Sequence, residues 1–169
     1  MGREHLGALA VRIQESRHPI VLIDGGSGAG KSDLATELAP LLGAELVRLE
    51  DVYRGWDGLE AASEAVASDI LGAGRWQRWD WIAGAPAEWH EIDTERPLIV
   101  EGCGALSHTN RALATFGIWI ELDEPTRKAR ALARDGDTYA PHWDRWAAQE
   151  QEFFERERPD LLADTILAG

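Results

Sequence analysis

The sequence predicts a three-layer α/β fold built around a five-stranded, mainly parallel sheet. Two observations point to it. Five short apolar runs, at residues 20–23, 45–49, 97–100, 118–122 and 165–167, recur between stretches with helical spacing. The first run also ends in a glycine-rich turn that opens directly into a helix, an order typical of nucleotide-binding α/β proteins.

The elements follow in order. Leu6, Leu9, Ala10 and Ile13 fall at helical spacing and predict an opening helix that ends near Arg17 and Pro19. Residues 20–23 are apolar and stop at Asp24 and a glycine cluster, as a buried strand does. Leu34, Ala35, Leu38, Ala39 and Leu42 line one face of a helix closed by Gly43. A second strand spans 45–49, and an alanine-rich helix spans 59–71 before Gly72 and Gly74. Residues 75–96, rich in Trp, Gly and Pro, read as irregular. Strands at 97–100 and 118–122, helices at 125–134 and 143–157, and a last strand at 165–167 complete the pattern. There is no internal repeat and no disordered linker, so a single domain over 1–169 is expected, with a lid helix at about 124–136.

Composition narrows the function. The chain of 169 residues carries a formal net charge of −13, which argues against a nucleic-acid partner. A small anion held by a few local cations remains compatible with that balance. The one cysteine, Cys103, rules out an intrachain disulfide and suits a reducing compartment. The N-terminal residues lack the apolar run of a signal peptide, and no stretch has the length to span a bilayer. A cytoplasmic protein without a membrane partner is the expectation, with the oligomeric state open.

The strongest chemical signal is Gly25, Gly26, Ser27, Gly28, Ala29, Gly30, Lys31 and Ser32, which fits G-x-x-x-x-G-K-[ST] at every fixed position. Glycines let successive backbone N–H groups turn toward phosphate oxygens, and the helix beginning near Lys31 adds its positive end. Lys31 can reach the β- and γ-phosphates, and the Ser32 hydroxyl can ligate Mg²⁺. ATP and Mg²⁺ are therefore the expected cofactors. The guanine-reading Asn-Lys-x-Asp stretch of GTPases is absent, as is the Ser-Gly-Gly-Gln helix of transport ATPases. Mechanical ATPases normally end the third strand in Asp-Glu, whereas here it runs into Glu101-Gly102. A small phosphotransferase remains.

Several segments resemble the uridine kinase-like group of P-loop nucleoside kinases, which includes nicotinamide riboside kinases. Residues 23–32 are similar to that group's opening, Glu50-Asp51-Val52-Tyr53 to its Asp-x-Phe-Tyr element, and residues 99–102 to its third-strand ending. Thr126-Arg127, Arg130 and Arg134-Asp135 resemble its lid helix, and residues 163–166 its final strand. The order of elements matches over almost the whole chain. Glu50 stands where the group usually has Asp, and the middle segment is compact and Trp-rich, so the substrate does not carry over. The resemblance implies transfer of the ATP γ-phosphate to a small-molecule acceptor and places Tyr53 among the substrate-binding residues.

Independently of the resemblance, a kinase acting on a hydroxyl benefits from a carboxylate that orients it and accepts its proton. Glu50 and Asp51 follow the second strand, at the edge where α/β proteins bind ligands, and either suits that role. Glu101, at the end of the third strand, suits a Mg²⁺-bound water or a substrate hydroxyl. Asp24 suits either metal water or the loop backbone. Arg127, Arg130 and Arg134 share one helix face, and Arg130 and Arg134 are the candidates to offset transition-state charge. Trp56, Trp76, Trp79, Trp81 and Trp89 crowd one region. Trp79, Asp80 and Trp81 are the expected wall of a substrate pocket, the remaining rings packing as a satellite core. Arg54, Arg75 and Arg78 lie nearby and keep a nucleoside monophosphate kinase as the alternative. A nucleotide-binding regulator without catalysis is the alternative from another class.

Overall fold

A computed structural model describes residues 2–169. Five parallel strands form one sheet in the order β2-β5-β1-β6-β7: β1 (Ile20–Gly25), β2 (Glu45–Arg48), β5 (Leu98–Glu101), β6 (Phe116–Glu121) and β7 (Thr165–Ala168). The glycine-loop strand β1 lies at the centre, pairing β5 through Ile20↔Leu98 and β6 through Val21↔Phe116. The central strands β1 and β5 are covered on both faces, as in parallel sheets generally, while β7 at the edge leaves Ile166 half exposed.

Alternation along the strands sends side chains into two cores. Val21 and Ile23 pack with Ile99 and Ile118 against α1 (Arg3–Ile13) and α2 (Lys31–Leu42). Leu22, Val47 and Val100 face the opposite layer, which includes α3 (Leu59–Ala65) and, further along the chain, α6 (Trp143–Glu157). That layer carries Trp143, Trp146 and Phe153, all buried. Four tryptophans, Trp143, Trp146, Trp56 and Trp76, therefore belong to or pack against this core.

The structure adds several features absent from the sequence reading. Beyond α3 the helix widens into π turns over Val66–Ala73. The segment read as irregular contains an antiparallel hairpin, β3 (Arg75–Asp80) with β4 (Ala85–Glu91), bulged between Gln77 and Trp79. A short helix α4 (His108–Leu113) sits between β5 and β6, with Ser107 capping Asn110 N–H. The opening helix ends at Ile13, sooner than expected. Helix α5 (Glu124–Asp135) has Asp123 as N-cap and Pro125 in its first turn. A four-residue helix, α7 (Pro159–Leu162), precedes β7.

Candidate functional site

The carboxyl ends of β1, β2 and β5 converge on a cleft of about 740 Å³. Ser27, Gly28, Gly30, Lys31 and Ser32 line one side, Glu50 and Glu101 another, and Arg130 and Arg134 of α5 a third. The first-turn N–H groups of α2 have no intrahelical acceptor, so they are available to an anion in this cleft. Lys31 is 8% exposed and folds back on the loop, its Nζ donating to the carbonyls of Gly25 (2.8 Å) and Gly26 (2.9 Å). Burial alone would lower its pKa, but Cys103, Glu101, Glu150 and Asp24 outweigh that and raise it. Lys31 is therefore a fixed cation at the loop.

The loop is braced from behind. Arg127 donates from Nη1 to the Ser27 carbonyl and to Glu150 Oε2, and from Nε to the Leu122 carbonyl. Its guanidinium occupies the space a Cβ on Gly26 would take, and its carbonyl lies where a Cβ on Gly28 would sit. Gly28 also has φ +82°, so glycine is required there twice over. Arg127 thus belongs to the loop's support, whereas Arg130 and Arg134 face the cleft. Glu150 was not found from sequence. Its Oε1 accepts from Ser27 N–H (2.8 Å), Trp146 Nε1–H (3.0 Å) and Cys103 Sγ (3.1 Å). Tyr139, also unforeseen, donates to Ser27 Oγ at 2.8 Å.

Ser32 Oγ donates to Glu101 Oε1 at 2.8 Å, which puts two hard oxygens side by side. That pair fits Mg²⁺, which takes one or two protein oxygens and fills its shell with waters and phosphate oxygens. Among the described residues no group of three His, Cys, Asp or Glu side chains converges as a metal cage. Asp24 lies outside this pair. Fully buried, it accepts from the N–H groups of Gly25, Gly104 and Leu106, so it organises backbone. Burial raises its pKa to about 6 despite those donors.

Glu50 and Asp51 separate clearly. Glu50 lines the cleft at a solvent-reachable rim, yet the surrounding protein withdraws enough water to raise its pKa, against the pull of Arg134. Asp51 does not line the cleft, and its pKa rises through burial opposed by Arg48 and Arg78. Tyr53 lines the cleft, but its hydroxyl donates to the Cys103 carbonyl at 2.8 Å. Trp81 also lines the cleft and donates from Nε1 to the Glu50 backbone carbonyl at 3.0 Å, tying the hairpin to the main chain at Glu50. Trp79 and Asp80 do not line it. Asp80 Oδ1 accepts from Ile82 and Ala83 N–H, bonds that close the hairpin turn and lower its pKa. The rings that join Trp81 are Trp56, Tyr139, His142 and Trp146. Trp56 stacks on His142 (4.4 Å) and Tyr139 (5.2 Å) and meets Trp81 edge-on (5.2 Å).

Two of the three nearby arginines are engaged elsewhere, and Arg54 has only a long contact to Gln77 Oε1 at 3.5 Å. Arg78 makes a two-pronged contact with Glu88, and Arg75 lies over the Trp89 ring. No helix among the described residues is long and apolar enough to cross a membrane.

Comparison with solved structures places the fold. The chain is similar to a possible uridine kinase from Bacillus stearothermophilus, with a TM-score of 0.68 and 16% identity over 98% of each chain. It is also similar to a candidate fructose transport system kinase from Silicibacter sp. TM1040, with a TM-score of 0.65 and 20% identity, over 95% of this chain and 98% of that one. No protein-family description matches the sequence, and no curated protein matches it significantly. What is shared is the α/β fold, which in this chain has a five-stranded parallel sheet between helical layers.

Proposed function

We propose that this protein transfers the γ-phosphate of ATP, with Mg²⁺, to a hydroxyl of a flat small molecule, a nucleoside or nucleoside-like compound. One observation carries the reading: the P-loop and the Glu50 carboxylate face the same cleft, and aromatic rings wall the space between them. Residues 25–32 would cradle the triphosphate, with Lys31 exchanging the Gly25 and Gly26 carbonyls for β- and γ-phosphate oxygens. Ser32 and Glu101 would hold Mg²⁺, which supplies charge neutralisation on the phosphates. Arg130 and Arg134 would offset charge that develops on the transferring group.

Glu50 would orient the acceptor hydroxyl. That oxygen attacks the γ-phosphorus, the bond from the γ-phosphorus to its bridging oxygen breaks, ADP leaves, and Glu50 takes the hydroxyl proton. Its raised pKa makes it a better proton acceptor than an ordinary glutamate. Trp56 and Trp81 would hold the flat part of the acceptor, and Tyr53 would support that wall. A phosphate acceptor fits less well, because Arg75 and Arg78 point to the hairpin's own Trp89 and Glu88.

The test is to compare Glu50→Gln with Asp51→Asn. Glu50→Gln lowers kcat by roughly 10²-fold, the low end for a general base because phosphoryl transfer needs little base help. Asp51→Asn leaves kcat within about threefold of the parent. Equal turnover in all three proteins defeats the assignment of Glu50.

A further inference from the structure

The carboxylate assigned to the metal already has a cation on it. Glu101 is 3% exposed, and its Oε1 accepts from Arg48 Nη1 at 3.2 Å as well as from Ser32 Oγ at 2.8 Å. Arg48 is the last residue of β2, the strand beside β5, whose last residue is Glu101, and the two are partners in register. The same guanidinium donates from Nη2 to Thr36 Oγ1 at 2.9 Å, and Thr36 Oγ1 donates to the Ser32 carbonyl at 2.7 Å. Arg48 therefore holds both oxygen-bearing residues of the metal pair, Glu101 directly and Ser32 through Thr36.

We propose that Arg48 is a resident counter-ion for the metal carboxylate, which the incoming metal must displace from Glu101. The inference rests on the nucleotide-and-Mg²⁺ reading above and adds a control on it. A buried carboxylate without a partner is costly, so a cation must neutralise Glu101 whenever nucleotide is absent. A guanidinium fills that role without leaving the chain. One oxygen cannot serve a guanidinium and a divalent ion equally well, because the two cations repel at short range. Metal loading then releases Arg48 from Glu101. Arg48 is about one-third exposed, so it can swing into solvent while Thr36 and Ser32 stay in place. The consequence is a metal affinity set below what Ser32 and Glu101 alone would give, so metal binds only together with nucleotide phosphates.

The test uses Mn²⁺ as the probe, titrated by electron paramagnetic resonance against protein saturated with ADP. The proteins are the parent, Arg48→Met, Arg48→Gln and Arg48→Lys. Removing the charge tightens Mn²⁺ binding by roughly three- to tenfold in the Met and Gln variants, a range set by the partly exposed pair that is lost. Arg48→Lys keeps the charge and stays within about twofold of the parent. Thermal melts in ADP give an independent readout: the stabilisation added by Mg²⁺ is larger in the Met and Gln variants. Mn²⁺ affinities unchanged or weaker in both neutral variants overturn the proposal while leaving the nucleotide reading intact. ADP binding with no Mn²⁺ uptake in any variant overturns the proposal and the Mg²⁺ site, whereas absence of ADP binding overturns the nucleotide reading as well.

Discussion

Arg127 and Glu150 form the brace behind the P-loop, and that brace is open to a double-mutant cycle. The two side chains are 13% and 3% exposed and meet at 3.4 Å. Arg127→Met removes the charge partner of Glu150 together with bonds to the Ser27 and Leu122 carbonyls. Breaking a buried pair costs about 3–5 kcal/mol. Glu150 keeps three donors on Oε1, so we expect the lower end, about 3 kcal/mol. At about 2–4 °C per kcal/mol for a chain of this size, the melting temperature falls by roughly 6–12 °C. Glu150→Gln keeps an oxygen for the same donors but turns an amide N–H₂ toward Arg127, at a cost of about 2 kcal/mol. The double variant removes the mismatch, so its loss is smaller than the sum by about 1–3 kcal/mol. The assay is equilibrium urea unfolding without ligand, with nucleotide affinity measured in parallel. Losses that add to within about 0.5 kcal/mol would refute the idea that these residues act as one unit.

Three further outcomes follow. Gly28→Ala weakens ATP binding at least about tenfold by calorimetry, because the new Cβ meets the Arg127 carbonyl and φ +82° strains any side chain. Lys31→Met removes nearly all turnover, while the unliganded melting temperature shifts by less than about 5 °C, since relief of a buried charge offsets the two lost loop bonds. The Asp24 carboxyl, raised from 3.8 to about 6 by burial, binds more protons folded than unfolded. Its contribution is therefore present at low pH and lost as pH rises through about 6, so stability should fall by about 1 kcal/mol between pH 5 and pH 7 on its account. Asp24→Asn should flatten that slope in urea titrations at the two pH values.

What was legible in the sequence follows from locality. The strands were visible because their apolar residues cluster in short runs, continuous in the central β1 and β5, and the loop at 25–32 because its chemistry lies in consecutive residues. Helix 143–157 was placed to the residue, since its buried stripe of Trp143, Trp146 and Phe153, with Glu150 among them, keeps one period. The hairpin β3–β4 was missed because its strands are half-exposed and mix Trp with Arg, Asp and Glu, so neither face reads as core. Asp80 was placed in the pocket from its position between two tryptophans, but a turn aspartate has backbone N–H groups closer at hand. Glu150 lies 123 residues from Ser27, and Arg48 lies 53 residues from Glu101. No local pattern announces either pairing; a glutamate on an apolar helix stripe was the one available signal for Glu150.

The central claim is that one cleft binds ATP and delivers its γ-phosphate to a hydroxyl. The most direct measurement follows ADP formation by the parent protein with MgATP across a panel of nucleosides, flat polyhydroxy compounds and nucleoside monophosphates, with Lys31→Met as the blank. Mass spectrometry of the products counts the phosphate transferred. The account predicts ADP release stimulated by a hydroxyl acceptor, in one-to-one yield with its phosphorylated product and lost in the blank. Stimulation by monophosphates alone, or tight ATP binding that no acceptor converts into ADP, contradicts it.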